Sequence, residues 1–217
     1  MTDLVGVGMT SPRTRLRMVE RLRGRGIRDA QVLAAMEAVP RHVFVEPALA
    51  SRAYEDTALP LGFGQTISQP FVVARMLEAM LAGEVAGKVL EVGTGCGYQT
   101  AVLARLAREV YSVERVAGLL DRARRNLRAL KLGNVRLKHG DGMQGLPEAA
   151  PYNAIVVCAA PPEVPLALLE QLAVGGRMVI PVGDGNQQLV VYDNTPRGLI
   201  QTRLDFVRFV PLLPGLA

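Results

Sequence analysis

Apolar positions along the chain follow two rhythms. Before Lys88 they recur at helical spacing. Ser11-Pro12 combines an N-cap with a first-turn proline, and Leu16, Val19 and Leu22 follow on one face as far as Gly24. Asp29 caps a second predicted helix whose apolar face is Val32, Leu33, Met36 and Val39, and Pro40 stops it. Residues 41–69 carry no period and are expected to be irregular, and the pattern resumes as a predicted helix from about residue 70 to 81.

From Lys88 short apolar runs alternate with helical patterns. KVLEVG reads as a buried strand leading into a glycine loop, with a helix over residues 98–107. EVYSVE and VAGLLDRARRNLRAL form the next strand and helix; NVRLKHG and NAIVVCAA are strands, EVPLALLEQL a helix and GGRMVIPV a fifth strand. QQLVVYD and LIQTRLDFVRFV, each entered through a glycine turn, read as antiparallel. Alternating strand–helix units with short connections predict an α/β fold with a doubly wound, mostly parallel sheet, preceded by N-terminal helices and followed by antiparallel strands. At 217 residues this is one domain. Within it, residues 1–69 form a helical and arm segment, 70–183 the α/β core and 184–217 the terminal strands.

Composition narrows the picture modestly. A 49% apolar and 21% charged chain is globular rather than disordered. No apolar run approaches the roughly 20 residues of a membrane span, and the N-terminal stretch has no basic segment followed by an apolar one. No membrane association and no secretory signal are therefore expected. Two cysteines make no disulfide framework, so a reduced, cytoplasmic setting is expected. The net charge of +5 rests on arginines at residues 13–28 and 122–128. Leu, Val and Met are interleaved there at helical spacing and no aromatic stands among them. Solvated helix faces are expected rather than a nucleic-acid surface.

The loop after KVLEV is Gly93-Thr94-Gly95-Cys96-Gly97. Glycines there let backbone turn sharply and approach a ligand. Glu114 closes the next strand about 20 residues on, where a ribose-binding carboxylate belongs. A dinucleotide site asks for G-x-G-x-x-G, and here the third glycine comes one residue early. Glu91 stands two residues before the loop, able to accept from an ammonium group. S-adenosylmethionine, with an α-amino group and a ribose diol but no phosphate, fits better than a dinucleotide. Asp141-Gly142 follows the third strand, where Asp141 can accept from an adenine amino group; a turn-forming Asp-Gly pair is the plainer alternative. His139 and His42 have no companions at metal-ligand spacing, so no metal is expected.

The fourth strand ends in Ala159-Ala160-Pro161-Pro162-Glu163. Amino-directed nucleic-acid methyltransferases carry an Asp or Asn before the prolines and an aromatic after them; neither is present. GFGQTISQP, VLEVGTGCGYQTA, YSVER, GDGMQG, AAPPEVP, GGRMVIPVG and RFVPL, in this order, resemble the protein-L-isoaspartate O-methyltransferase family from about Thr14 onward. The glycine loop is common to many methyltransferases; TIS-x-P and RFVPL are more specific. The resemblance implies methyl transfer to the α-carboxyl of isoaspartyl residues in damaged proteins and peptides, then ring closure to a succinimide that reopens to Asp. It implies Ser68 as the active-site serine, with Thr66, Ile67, Gln69, Arg208, Val210, Pro211 and Leu212 lining the peptide cleft.

In that light Gly62 and Gly64 let an arm fold over the cofactor, while Thr66, Ser68 and the amides opening the next helix face the acceptor. Ser68 as a mere helix cap is the alternative, compatible with the first. Methylation of normal Asp in a dedicated partner, or cofactor binding without turnover, stay open. A monomer is expected.

Overall fold

The computed structural model describes residues 4–83 and 87–217. Helix α1 (Pro12–Gly24) begins at Ser11, whose hydroxyl accepts from the Thr14 amide, and α2 (Ala30–Ala38) begins at Asp29, which accepts from the Gln31 and Val32 amides at 2.9 and 3.0 Å. The buried face of α1 is Met18, Val19 and Leu22; Leu16, expected there, is 43% exposed because the stripe is centred two residues further on. Residues 41–69 are more ordered than their sequence suggests. Two short 3-10 turns (Arg41–Phe44 and Pro47–Arg52) lead into β1 (Leu59–Gly62) and β2 (Gln65–Ile67), an antiparallel hairpin. Phe63 and Gly64, at φ +53° and +67°, form its tip, a left-handed pair that matches the strand twist. Strands this short show too little alternation to be recognised.

Helix α3 (Pro70–Leu81) leads to β3 (Lys88–Val92), α4 (Tyr98–Leu106), β4 (Glu109–Glu114), α5 (Ala117–Ala129) and β5 (Val135–His139). Next come β6 (Tyr152–Val157), α6 (Leu166–Glu170), β7 (Leu172–Val182), β8 (Gln187–Thr195) and β9 (Gly198–Val207). Seven of the described strands form one sheet in the order β5-β4-β3-β6-β7-β8-β9, parallel as far as β7 and antiparallel after it. The last three strands are sequential neighbours, an order that the sequence alone left undetermined. The predicted helix EVPLALLEQL shrinks to the five residues of α6, between Pro165 and the early start of β7.

The sheet's faces are covered unequally. Val89, Val110, Ala154, Val156 and Val179 pack against α1 to α5, while Leu90, Val92, Ile155, Met178 and Ile180 meet α6, the turns after β5 and Leu212. At its centre Val92 pairs with Val113 on one side and Val157 on the other. The next residue of each strand, Gly93, Glu114 and Cys158, therefore emerges at the same edge. This is the point where successive connections leave in opposite directions, and open α/β sheets bind ligands there.

Candidate active site

Gly95 shows what the glycine loop does for a ligand. Its φ is +55°, and a Cβ there would meet only Leu61 Cδ1 at 3.7 Å, so the backbone presents an uncovered face. Gly97 has a different reason. Its added Cβ would lie 3.2 Å from Leu127 and 3.3 Å from Ala123, so the third glycine lets α5 pack against the start of α4. The Asn126 side chain on α5 donates to the Cys96 carbonyl at 2.9 Å and holds the loop from the same side. Glu114, 6% exposed, accepts from the Gly95 and Val116 amides at 2.8 and 2.9 Å, which leaves further lone pairs toward the cavity beside it.

Glu91 is placed otherwise than its sequence position suggested. It is fully buried beneath the loop, where Thr100 and Ser112 donate to one carboxyl oxygen at 2.5 and 2.6 Å; the other oxygen has no hydrogen-bond partner. Desolvation pushes its pKa up to about 7 against the two hydroxyl donors. Thr94 bonds Ser112 at 2.6 Å and extends this network to the loop. Asp141 makes the turn: it accepts from the Met143 amide, and its other oxygen accepts from the Gly215 amide, both at 2.8 Å. Arg115 holds that terminal segment through the Pro214 and Gly215 carbonyls.

The hairpin arm faces the loop. Arg122 on α5 ties it down, donating to the Leu61 and Phe44 carbonyls at 3.3 and 3.0 Å and pairing with Glu46. Ser68 is not a helix cap: Gln69 occupies the N-cap of α3 with no side-chain cap bond. The Ser68 carbonyl accepts from Arg41 at 2.8 Å, and among the described residues its hydroxyl makes no hydrogen bond. The first two residues of α3 offer no open amide to an acceptor. Pro70 has none, and the Phe71 amide donates to Asp56 at 2.9 Å.

The terminal RFVPL segment returns because the end of β6 binds it. Ala160 donates to the Val210 carbonyl at 2.8 Å and accepts from the Leu212 amide at 2.9 Å, while the Gln187 side chain bonds both backbone groups of Phe209. Two cavities result. The first, partly open to solvent, runs along Gly93, Thr94, Gly95, Cys96, Glu114 and Gly142 under the arm. Ile67, Pro211 and Leu212 also line it, whereas Glu91, Gly97 and Asp141 do not. The second lies between α3 and β9 and takes in Gln69 and Arg208. Thr66, Ser68, Cys158 and Val210 form a wall common to both.

Sequence reasoning passed over several members of this site. Cys158 accepts from Gln99 at 3.0 Å and burial raises its thiol well above the ordinary value, so it is no thiolate nucleophile. Tyr98 and Gln99 line the first cavity from the start of α4. Arg41, wholly buried, was signalled only by its place inside the apolar stretch AVPRHVFV. Among the described residues no cluster of His, Cys, Asp or Glu has the form of a metal site.

A parallel sheet with this switch point, a glycine loop after its central strand and a carboxylate closing the next define a Rossmann-like methyltransferase fold. The sequence model of the protein-L-isoaspartate(D-aspartate) O-methyltransferase family matches residues 13–216, and the chain belongs to that family. A protein-L-isoaspartate O-methyltransferase of Dechloromonas aromatica is 66% identical over 98% of this chain and 99% of its own. One of Nitrosomonas eutropha is 61% identical over 97% and 96%. A solved protein-L-isoaspartate O-methyltransferase superposes with TM-score 0.82 at 30% identity, covering 93% of this chain and 67% of its own. A Plasmodium falciparum structure assigned to the same activity, solved with S-adenosyl-L-homocysteine, gives 0.80 at 28% identity, covering 92% and 98%.

Proposed function

We propose that the chain transfers a methyl group from S-adenosylmethionine to the α-carboxyl of L-isoaspartyl residues in damaged proteins and peptides, starting their repair through a succinimide. The observation that carries this reading is the common wall: the Ser68 hydroxyl, unbonded among the described residues, lies between a cavity on the glycine loop and an open groove between α3 and β9. The first cavity fits the cofactor by its donor set. Gly95 offers open backbone, and the buried Glu114 carboxylate suits a ribose diol. Gly93, Thr94, Cys96 and Gly142 complete the walls, and Asp141 is assigned to the adenine amino group through lone pairs beyond those its two amides use. Glu91 acts from beneath, its orphan oxygen a reserve of negative charge for the α-ammonium end; Gly97 contributes by packing.

The cofactor supplies an electrophilic methyl on a sulfonium. An α-carboxyl has a pKa of about 3.5, so the acceptor is already ionised near neutral pH and needs no general base. What remains for the protein is orientation and exclusion of water. Ser68 donates to the acceptor carboxylate and aims one oxygen at the methyl, with Thr66 and Ile67 beside it. Gln69, Val210, Pro211 and Leu212 shape the groove, and Arg208, which has no ion-pair partner among the described residues, meets peptide charge. No metal takes part.

We further propose a monomer acting in the cytoplasm, without nucleic-acid partners. One chain completes both cavities, and arginines of the two basic stretches are committed internally: Arg25 to Asp56, Arg23 to Glu20, Arg122 to Glu46 and Arg124 to Asp121. Among the described residues no helix is long and apolar enough to cross a membrane. Labelled S-adenosylmethionine with paired isoaspartyl and aspartyl peptides tests the function. Base-labile label on the isoaspartyl peptide alone is expected. Equal labelling of the aspartyl peptide, or none, would refute it.

A further inference from the structure

A buried cation in no direct salt bridge needs a reason, because removing a charge from water is costly. Arg41 is 0% exposed, and burial lowers its pKa. Among the described residues it forms no salt bridge; its Nε donates to the Ala53 carbonyl and one terminal nitrogen to the Ser68 carbonyl, both at 2.8 Å. Its guanidinium lies 4.7 Å from the centroid of the Tyr98 ring. The remaining nitrogen and the Tyr98 hydroxyl are buried with no hydrogen bond. One planar group therefore joins three pieces of chain: the turn at Ala53, the arm at Ser68, and the first residue of α4 after the glycine loop.

Asp56 holds the residues that follow, its carbonyl accepting from the Gln69 side chain at 3.0 Å and its carboxylate from the Phe71 amide at 2.9 Å, but among the described residues only Arg41 bonds Ser68 itself. Strand β2 pairs only with β1, and α3 starts without a side-chain cap. A lysine has the charge but not the fork that reaches two carbonyls while keeping its charge beside a ring. We propose that Arg41 is the positioning residue of the acceptor site, fixing Ser68 relative to the cofactor wall through its carbonyl. This rests on the function proposed above. Arg41 does not line either cavity; it reaches the acceptor site through the Ser68 carbonyl, and its ring contact, Tyr98, belongs to the cofactor wall against which Ser68 is fixed.

The experiment compares wild type, Arg41→Lys, Ser68→Ala and the double variant. Arg41→Lys is expected to lower kcat at saturating isoaspartyl peptide on the order of 100-fold, the loss that a small misplacement of reacting groups produces. S-adenosylhomocysteine affinity by calorimetry should stay at the wild-type value, which also certifies the fold. The double variant should be no slower than the slower single variant, since both act at one point. Penalties that multiply, unchanged kcat, or cofactor affinity lost in step with kcat would each overturn the proposal. Hydrogen exchange supplies a readout independent of turnover: the amides of residues 66–69 should exchange faster in Arg41→Lys while those of residues 93–97 do not. Wild type inactive on isoaspartyl peptide would refute the function, yet the exchange pattern would still judge Arg41; uniform exchange in both segments would sink it.

Discussion

The two walls of the cavity are held by different means. The glycine-loop wall continues three neighbouring parallel strands, so Gly93, Glu114 and Cys158 are fixed by sheet register. Side-chain bonds then brace the loop on that frame, Glu114 to the Gly95 amide and Asn126 to the Cys96 carbonyl. The arm wall is a two-stranded hairpin that, among the described residues, pairs only with itself, and side chains from other segments hold it: Arg122 on α5, Arg41 in the turn before it and Asp56 at its end. A rigid wall suits a cofactor that is the same at every turnover. A wall fastened by a few side chains suits an acceptor presented by many proteins, and it concentrates the effect of single substitutions on the transfer step rather than on cofactor affinity.

The largest effect should come from the glycine-loop wall. Glu114→Ala is expected to weaken S-adenosylhomocysteine binding by about 2–4 kcal/mol. Two hydroxyls would lose a charged acceptor worth about 1.5–3 kcal/mol per bond before water compensates. Calorimetry reads this directly, and unchanged affinity would remove Glu114 from the site.

Beneath the same wall, Glu91 makes stability depend on pH. Its folded pKa, about 7, lies above the ordinary 4.5, so the native state binds the proton more tightly. Its contribution is fully present below about pH 4.5 and is lost as pH rises through 7, amounting to roughly 3 kcal/mol at about 1.4 per unit. Glu91→Gln should remove that fall. Denaturant unfolding at pH 5 and pH 8 checks it: the variant should gain on wild type at the higher pH. An equal pH slope in both proteins would mean Glu91 is not the titrating group.

The smallest effect belongs to the arm tip. A Cβ at Gly118 would lie 2.6 Å from Phe63 Cζ, so that ring rests on the bare backbone opening α5, though Phe63 is 66% exposed. Phe63→Ala should cost about 1 kcal/mol or less, by the contact area lost. It should appear as faster cofactor release in stopped-flow experiments with little change in kcat. A tenfold fall in kcat would show that the tip belongs to the reacting site.

What the sequence made legible follows the same division. Strand, glycine loop and Glu114 are local signals, and their spacing placed the first cavity. The same signals did not show how Gly97, Glu91 and the Phe71 amide are surrounded, because their neighbours come from elsewhere: Leu127 and Ala123 on α5, Thr100 on α4, and Asp56 in the preceding turn. The hairpin escaped because a three-residue strand shows no alternation, and Arg41 because its partners are backbone carbonyls 12 and 27 residues away. Leu16 marks a smaller error of the same kind, a helix face whose centre only packing reveals.

Ser68→Ala tests the central claim most directly. On one preparation, kcat at saturating isoaspartyl peptide, S-adenosylhomocysteine affinity and the unfolding midpoint are measured together. The account predicts a loss of about 2–4 kcal/mol in kcat, comparable to removing one donor from an oxyanion hole, with affinity and midpoint unchanged, since the hydroxyl caps nothing. Near-normal kcat with a midpoint lowered by about 1 kcal/mol of stability, the cost of losing a helix cap, would contradict it.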